Sequence, residues 1–257
     1  MNGGSVTVIG LGPGDPRLLT AAASEALAQA DDLIGYIPYV ARVPERPGLT
    51  RHASDNRVEI NRARHALELA ASGRRVAVVS GGDPGVFAMA GALFEAVETG
   101  DPAWRHLTIT VEPGITAMLA AAARLGAPLG GDFCALSLSD NLKPWEVIVA
   151  RLEAVLRADL VIALYNPISS ARPWQLGTAL GLALEVRPPE TPVILARAVS
   201  RADESIRVLT LAEARDAPAD MATLVIVGAS VTRLIDRGAN ARPFVYTPRS
   251  VRAGNAP

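Results

Sequence analysis

Val6-Thr7-Val8-Ile9-Gly10-Leu11-Gly12-Pro13-Gly14-Asp15-Pro16 runs from an apolar, β-branched stretch into a glycine-rich loop and closes on an Asp-Pro pair. Four such residues bounded by glycine read as a buried strand, Val6–Ile9. Asp15 is placed as an N-cap, with Pro16 at the first helical position, where its missing N–H costs nothing. Leu19, Ala22, Ala26 and Ala30 then recur at helical spacing. Strand, tight loop and helix in that order are the unit of an α/β fold. The device recurs at Val76–Ser80, Gly81-Gly82 and Asp83-Pro84, followed by Phe87, Gly91, Phe94 and Val97.

Outward from these two units the same alternation fills the chain. Strands are expected at Val6–Ile9, Asp32–Gly35, Val76–Ser80 and Leu107–Val111, then at Phe133–Leu138, Leu160–Tyr165, Pro192–Ala196, Ser205–Leu209 and Thr223–Val227. The alanine- and glycine-rich stretch Ala120–Gly131 separates the two series, so the expectation is two α/β domains in tandem, residues 1–120 and 121–245, with a tail at 246–257. A chain of 257 residues has length enough for two cores.

The loops narrow the ligand. Gly10–Asp15 starts like a dinucleotide fingerprint, but Asp15 stands where the third glycine is required. Neither it nor Ser80–Pro84 has the Lys-Ser/Thr ending of a phosphate-binding loop, and a carboxylate at each helix start opposes a phosphate. A neutral or cationic ligand fits better, and S-adenosylmethionine, with its sulfonium and ammonium charges, is of that kind. Singly, each Asp is explained by capping and each glycine by a turn. Glu112–Ala117 and Tyr165–Pro167 add two more such loops, and ligands of open α/β sheets bind at carboxyl ends of strands.

Composition excludes other classes. A net charge of −1 gives no general pull on nucleic acid, and the single cysteine, Cys134, leaves neither an internal disulfide nor a cysteine cluster for zinc or iron–sulfur. Together with the absence of a secretory signal or a spanning apolar run, this points to a cytoplasmic protein away from membranes. The histidines, His52, His65 and His106, read as isolated, so there is no Ser-His-Asp or Cys-His arrangement. Lys143 is the only lysine; the remaining cations are arginines, which grip carboxylates with a planar fork.

The ordered strings Gly10–Asp15, Ser80–Gly85, Pro113–Ala117, Tyr165–Pro167 and Ala222–Gly228 resemble the tetrapyrrole methylase family over roughly residues 6–228. Gly35–Val40, Leu136–Asp140 with Pro144–Ile148, and Arg172–Gln175 are similar to those members that methylate carbon 17 of a precorrin. The resemblance implies two α/β domains with a cofactor cleft between them, a homodimer, S-adenosylmethionine as cofactor with S-adenosylhomocysteine as product, and a tetrapyrrole substrate. Matched motif by motif, it implies cofactor contacts at Pro13, Gly81, Gly82, Asp83, Val86, Thr116, Ala117, Asn166, Ala198 and Ala222. It also implies methylation of precorrin-3B with contraction of the ring to precorrin-4, in cobalamin biosynthesis. Another precorrin or a cobalt-precorrin as substrate, a nicotinamide oxidoreductase and a non-catalytic binding module remain as alternatives.

Transfer of a sulfonium-bound methyl group needs mainly alignment, so no nucleophilic side chain is expected. Contraction moves protons, and Asp83 and Asp140, both at expected strand ends, are the candidates for that work. Arg51, Arg57, Arg62 and Arg64 are candidate grips for substrate carboxylates, although Arg62 and Arg64 fit a solvated helix face. His52 falls in a loop-like stretch and His65 on a helix surface. Trp145 and Trp174 suit either the macrocycle or the core.

Overall fold

In the computed structural model, residues 3–55, 58–169, 171–239 and 241–250 are described. The chain divides into two units, residues 1–116 and 117–257. The first carries β1 (Ser5–Gly10), α1 (Ala21–Gln29), β2 (Asp32–Tyr36), α2 (Ile37–Val40), β3 (Thr50–Ser54), α3 (Glu59–Ala71), β4 (Arg75–Ser80), α4 (Met89–Thr99) and β5 (Thr108–Glu112). The strands form one sheet in the order β3-β2-β4-β1-β5, with every pairing parallel.

Alternate residues of these strands face opposite layers. Val6, Val8, Ile34, Val76 and Val78 pack on Ala63, Ala66 and Leu67 of α3 and on Leu93 and Ala96 of α4. Ile9, Leu33, Ala77 and Val79 pack on Ala23 of α1 and Val40 of α2. Burial on both faces is why these strands read as continuous apolar runs rather than alternating ones.

The second unit carries α5 (Ala117–Ala123), β6 (Gly126–Ala127), β7 (Phe133–Ser137), α6 (Trp145–Arg157), β8 (Val161–Tyr165), α7 (Gln175–Leu184), β9 (Pro192–Arg197), β10 (Ser205–Thr210), α8 (Leu211–Ala214), β11 (Thr223–Val227), β12 (Arg233–Ile235) and β13 (Phe244–Tyr246). Its main sheet runs β10-β9-β11-β8-β7, parallel between β7 and β8 and antiparallel elsewhere. Ile148, Leu152 and Leu156 of α6, Leu176 and Leu180 of α7, and Leu211 of α8 bury one of its faces. A small sheet, β12-β13-β6, stands apart from it. The two α/β units expected from the alternation of strands and helices are therefore present.

Several local expectations are corrected. Asp15 caps only the 3-10 turn Pro16–Leu18; α1 begins later, with Thr20 Oγ1 accepting the Ala23 N–H at 3.1 Å. Behind Asp83 no helix starts at Pro84, because Phe87 takes a left-handed φ of 53° and α4 begins at Met89, whose N–H is bound by Ser80 Oγ at 3.3 Å. His52 lies in strand β3, not in a loop; its polar neighbours hid an edge strand. Arg62 is 6% exposed, not on a solvated face, whereas Arg64 is exposed. Arg57 lies outside the described residues, as do residues 251–257 of the expected tail.

Candidate functional site

In the first unit, β4, β1 and β5 are neighbours, so the three loops that leave their carboxyl ends lie side by side. Gly12 and Gly82 exchange backbone bonds, Gly12 N–H to Gly82 O at 3.1 Å and Gly82 N–H to Gly12 O at 2.9 Å. A Cβ on Gly114 would stand 2.2 Å from Gly82 O, and one on Gly10 2.6 Å from Gly114 N. Three backbones meet here at distances that no side chain allows. Gly12 and Gly82 also hold φ values of 65° and 67°, which only glycine adopts without strain.

Asp83 ties this edge together: one oxygen accepts the Gly85 N–H at 2.8 Å, the other the Gly114 N–H at 3.0 Å. Asp15 accepts the Arg17 N–H at 2.9 Å and pairs with its guanidinium at 2.6 Å. Both carboxylates are thus engaged locally, which weakens the electrostatic argument that they select a cationic ligand. Pro13 and Thr116 are buried beside these loops, and Val86 is half-buried. Gly81 lies under the ring of Tyr39, which belongs to the string Gly35–Val40 but is assigned no role by it; a Cβ on Gly81 would sit 2.7 Å from the ring.

In the second unit, antiparallel pairing decides which residues meet. Thr223 at the start of β11 pairs with Arg197 at the end of β9, so the Ala198 N–H donates to Ala222 O at 3.0 Å. Asn166, just beyond β8, reaches the end of neighbouring β7, its Nδ2 donating to Ser137 Oγ at 2.9 Å. Asn166 and Ala198 both adopt left-handed backbone, φ 50° and 49°. Strain of this kind at non-glycine residues collects at functional loops. Ala117 opens α5, where the Met118 N–H donates to the Tyr165 hydroxyl at 3.1 Å.

Asp140 follows β7 and forms a close ion pair with Arg172. Burial acts against ionisation of Asp140, but the Arg172 guanidinium with the other hydrogen bonds outweighs it and holds the carboxyl below its ordinary value. Nearby, Trp145 and Trp174 meet edge to face with centroids 4.8 Å apart; Trp145 packs on the core, while Trp174 is 46% exposed.

The reading of isolated histidines is also corrected. His52 Nδ1 lies 3.1 Å from His65 Nε2, and His52 Nε2 lies 2.8 Å from Asp32 Oδ1. Thirteen residues of separation on two different elements hide such a pair from any motif. Among the described residues no group of three or more His, Cys, Asp or Glu side chains is placed to hold a metal ion, and no helix is long and apolar enough to cross a membrane.

A doubly wound parallel unit with glycine-only strand ends, followed by a mixed-sheet unit, defines the class: the chain belongs to the family of Tetrapyrrole (Corrin/Porphyrin) Methylases, matched over residues 5–215. Within it, the chain is 54% identical to the Precorrin-3B C(17)-methyltransferase of Sinorhizobium sp over 96% of both proteins. It is 40% identical to the Probable cobalt-factor III C(17)-methyltransferase of Salmonella typhimurium, covering 94% of this chain and 99% of that one. The crystal structure of the methyltransferase CobJ superposes with a TM-score of 0.88 at 54% identity, over 95% of this chain and all of that one.

Proposed function

We propose that this chain transfers a methyl group from S-adenosylmethionine to carbon 17 of precorrin-3B, with contraction of the ring to precorrin-4, in cobalamin biosynthesis. The observation that carries the cofactor site is the glycine edge. Gly10, Gly82 and Gly114 let three loops pack backbone against backbone at adjacent strand ends, so that edge offers a ligand main-chain groups rather than side chains. The substrate assignment rests on the similarity to the C17-methylating enzymes reported above.

The cofactor supplies a methyl group activated by its sulfonium charge, so the protein's part is alignment. In this reading Pro13, Gly81, Gly82, Asp83, Val86 and Thr116 of the first unit, and Ala117, Asn166, Ala198 and Ala222 of the second, hold it mainly through backbone and shape. Asp83 has both oxygens on backbone N–H groups, which suits positioning of the loops rather than proton transfer. Asp140 remains the candidate for proton transfer during contraction; the Arg172 ion pair keeps it ionised but lowers its pKa, so it acts as a weak base while that pair holds. A homodimer in the cytoplasm belongs to the same reading and is tested by sedimentation and fractionation.

Calorimetric titration with S-adenosylhomocysteine and, in parallel, NADH tests the cofactor. Saturable binding of S-adenosylhomocysteine alone, lost in Gly82→Trp, is expected; binding of NADH or of neither ligand overturns the proposal. Turnover of precorrin-3B against other precorrins and the cobalt-containing counterpart then decides the substrate.

A further inference from the structure

Arg62 is a buried cation, and among the described residues no carboxylate forms an ion pair with it. Its Nε donates to Ser54 Oγ at 2.9 Å, its Nη2 to the Asp55 carbonyl at 2.7 Å and its Nη1 to Met89 Sδ at 3.4 Å. All three acceptors are neutral, and the side chain belongs to a residue only 6% exposed. A buried charge without a counterion is costly, and proteins keep one where something supplies the missing charge. Burial accordingly presses its pKa down, and Glu59, three residues earlier on α3, and Tyr39 only partly oppose this.

The guanidinium borders a cavity of about 190 Å³ between β3 and α3, lined also by His52, His65, Asn61, Ser54 and Ile34. The lining offers N–H donors from Arg62 and Asn61, and none of its side chains is a carboxylate. Asp32 accepts from Arg74 Nε at 2.6 Å, and although burial opposes its ionisation, the Arg74 and His52 bonds keep its pKa low. Ionised Asp32 fixes the proton on His52 Nε2, so His52 Nδ1 accepts from His65 Nε2. The negative charge of Asp32 is therefore spent on Arg74 and His52, leaving Arg62, which Glu59 only partly offsets, without an ion-pair partner among the described residues at the cavity.

The cavity also has a place in the fold. Ser54 ends β3, so Arg62 sits at the carboxyl edge of the parallel sheet, the edge that carries the glycine loops. Met89, which touches Arg62, is bound through its N–H to Ser80, the residue before Gly81. From these relations we infer that the cavity beside Arg62 is a carboxylate subsite, which receives an acidic side arm of the tetrapyrrole substrate. The assignment of the arm to substrate rests on the proposed function; the carboxylate chemistry does not. Of the arginines the sequence singled out here that are among the described residues, Arg51 instead bonds the Val43 carbonyl and Glu45, and Arg64 is exposed; Arg62 is the one of these three that lines the cavity.

The test uses fluorescent uroporphyrin, an octacarboxylate macrocycle, as a probe of the full-length protein, alongside free propionate and S-adenosylhomocysteine. Arg62→Met keeps the volume and removes the charge; Asn61→Ala and His65→Gln alter the lining if the first variant fails to fold. Loss of one charge-assisted contact should weaken uroporphyrin binding about tenfold or more in Arg62→Met and raise the KM for precorrin-3B in parallel, with kcat and S-adenosylhomocysteine affinity held. Unchanged uroporphyrin affinity in a folded Arg62→Met, or in both lining variants, overturns the subsite. Propionate that binds through Arg62 while macrocycle affinity ignores it overturns the substrate arm. Wild-type protein that fails to turn over precorrin-3B, yet binds uroporphyrin in an Arg62-dependent way, sinks the proposed function and leaves the carboxylate subsite standing.

Discussion

Asp83, in the loop after β4, accepts the backbone N–H of Gly114, in the loop after β5, at 3.0 Å, reaching past β1, which lies between those strands. Its second oxygen closes its own turn on Gly85. Asp83→Ala removes both acceptors and leaves a half-buried N–H without a partner, a loss of about 1–3 kcal/mol. Thermal unfolding of Asp83→Ala is expected at lower temperature, with weaker S-adenosylhomocysteine binding by calorimetry. Asp83→Asn, which keeps one acceptor oxygen, should fall between. Wild-type affinity in the alanine variant would remove Asp83 from the cofactor site.

Gly114 and Gly91 make a matched pair of tests. A methyl on Gly114 would meet Gly82 O at 2.2 Å, while one on Gly91, on the exposed side of α4, meets nothing within 4 Å. Gly114→Ala therefore forces two backbones apart and should cost stability and cofactor affinity together. Gly91→Ala should stabilise by about 0.5–1 kcal/mol, since a helical glycine carries excess chain entropy. Urea unfolding of both variants reads the two opposite signs.

Asn166 does two jobs that substitution separates. Its left-handed backbone, φ 50°, suits asparagine and glycine, and its amide donates to Ser137 at 2.9 Å. Asn166→Gly keeps the backbone and loses the bond; Asn166→Ala loses the bond and strains the backbone, and should be the less stable by about 1 kcal/mol. Equal unfolding midpoints for the two would show that the backbone conformation is not what asparagine serves here.

Asp31 provides a pH signature. The side-chain bond from Arg75, followed by the bond from the Arg75 backbone N–H, lowers its pKa to about 2. The folded state thus releases the proton more readily than the unfolded chain, whose aspartate titrates near 3.9. The contribution to stability is fully present above that unfolded value and fades as pH falls toward about 2. Asp31 is half-buried but its partner Arg75 is exposed, so solvent screens the pair and the effect is small. The difference in urea midpoint between wild type and Asp31→Asn should be constant from pH 7 to about 5 and shrink below about 4; a difference that grows on acidification contradicts this sign.

The apolar runs Val6–Ile9, Val76–Ser80 and Thr223–Val227 were legible because hydrophobic pattern and glycine punctuation are local, and local order survives in a linear string. The same holds for the loops at Gly10–Asp15 and Ser80–Gly85, and for the family they resemble. What a polar residue bonds to is not local. The strand order alone placed the β1, β4 and β5 loops together, and antiparallel pairing alone brought Ala222 to Ala198. His52 met His65 and Arg62 was buried because an edge strand formed from Thr50–Ser54, where β propensity is weak and neighbouring strands decide. The sequence by itself determined the elements and the chemistry of their loops; only the tertiary structure decided the partners of Asp83, His52 and Arg62, because a hydrogen bond or an ion pair depends on distance in space, which spacing along the chain does not encode.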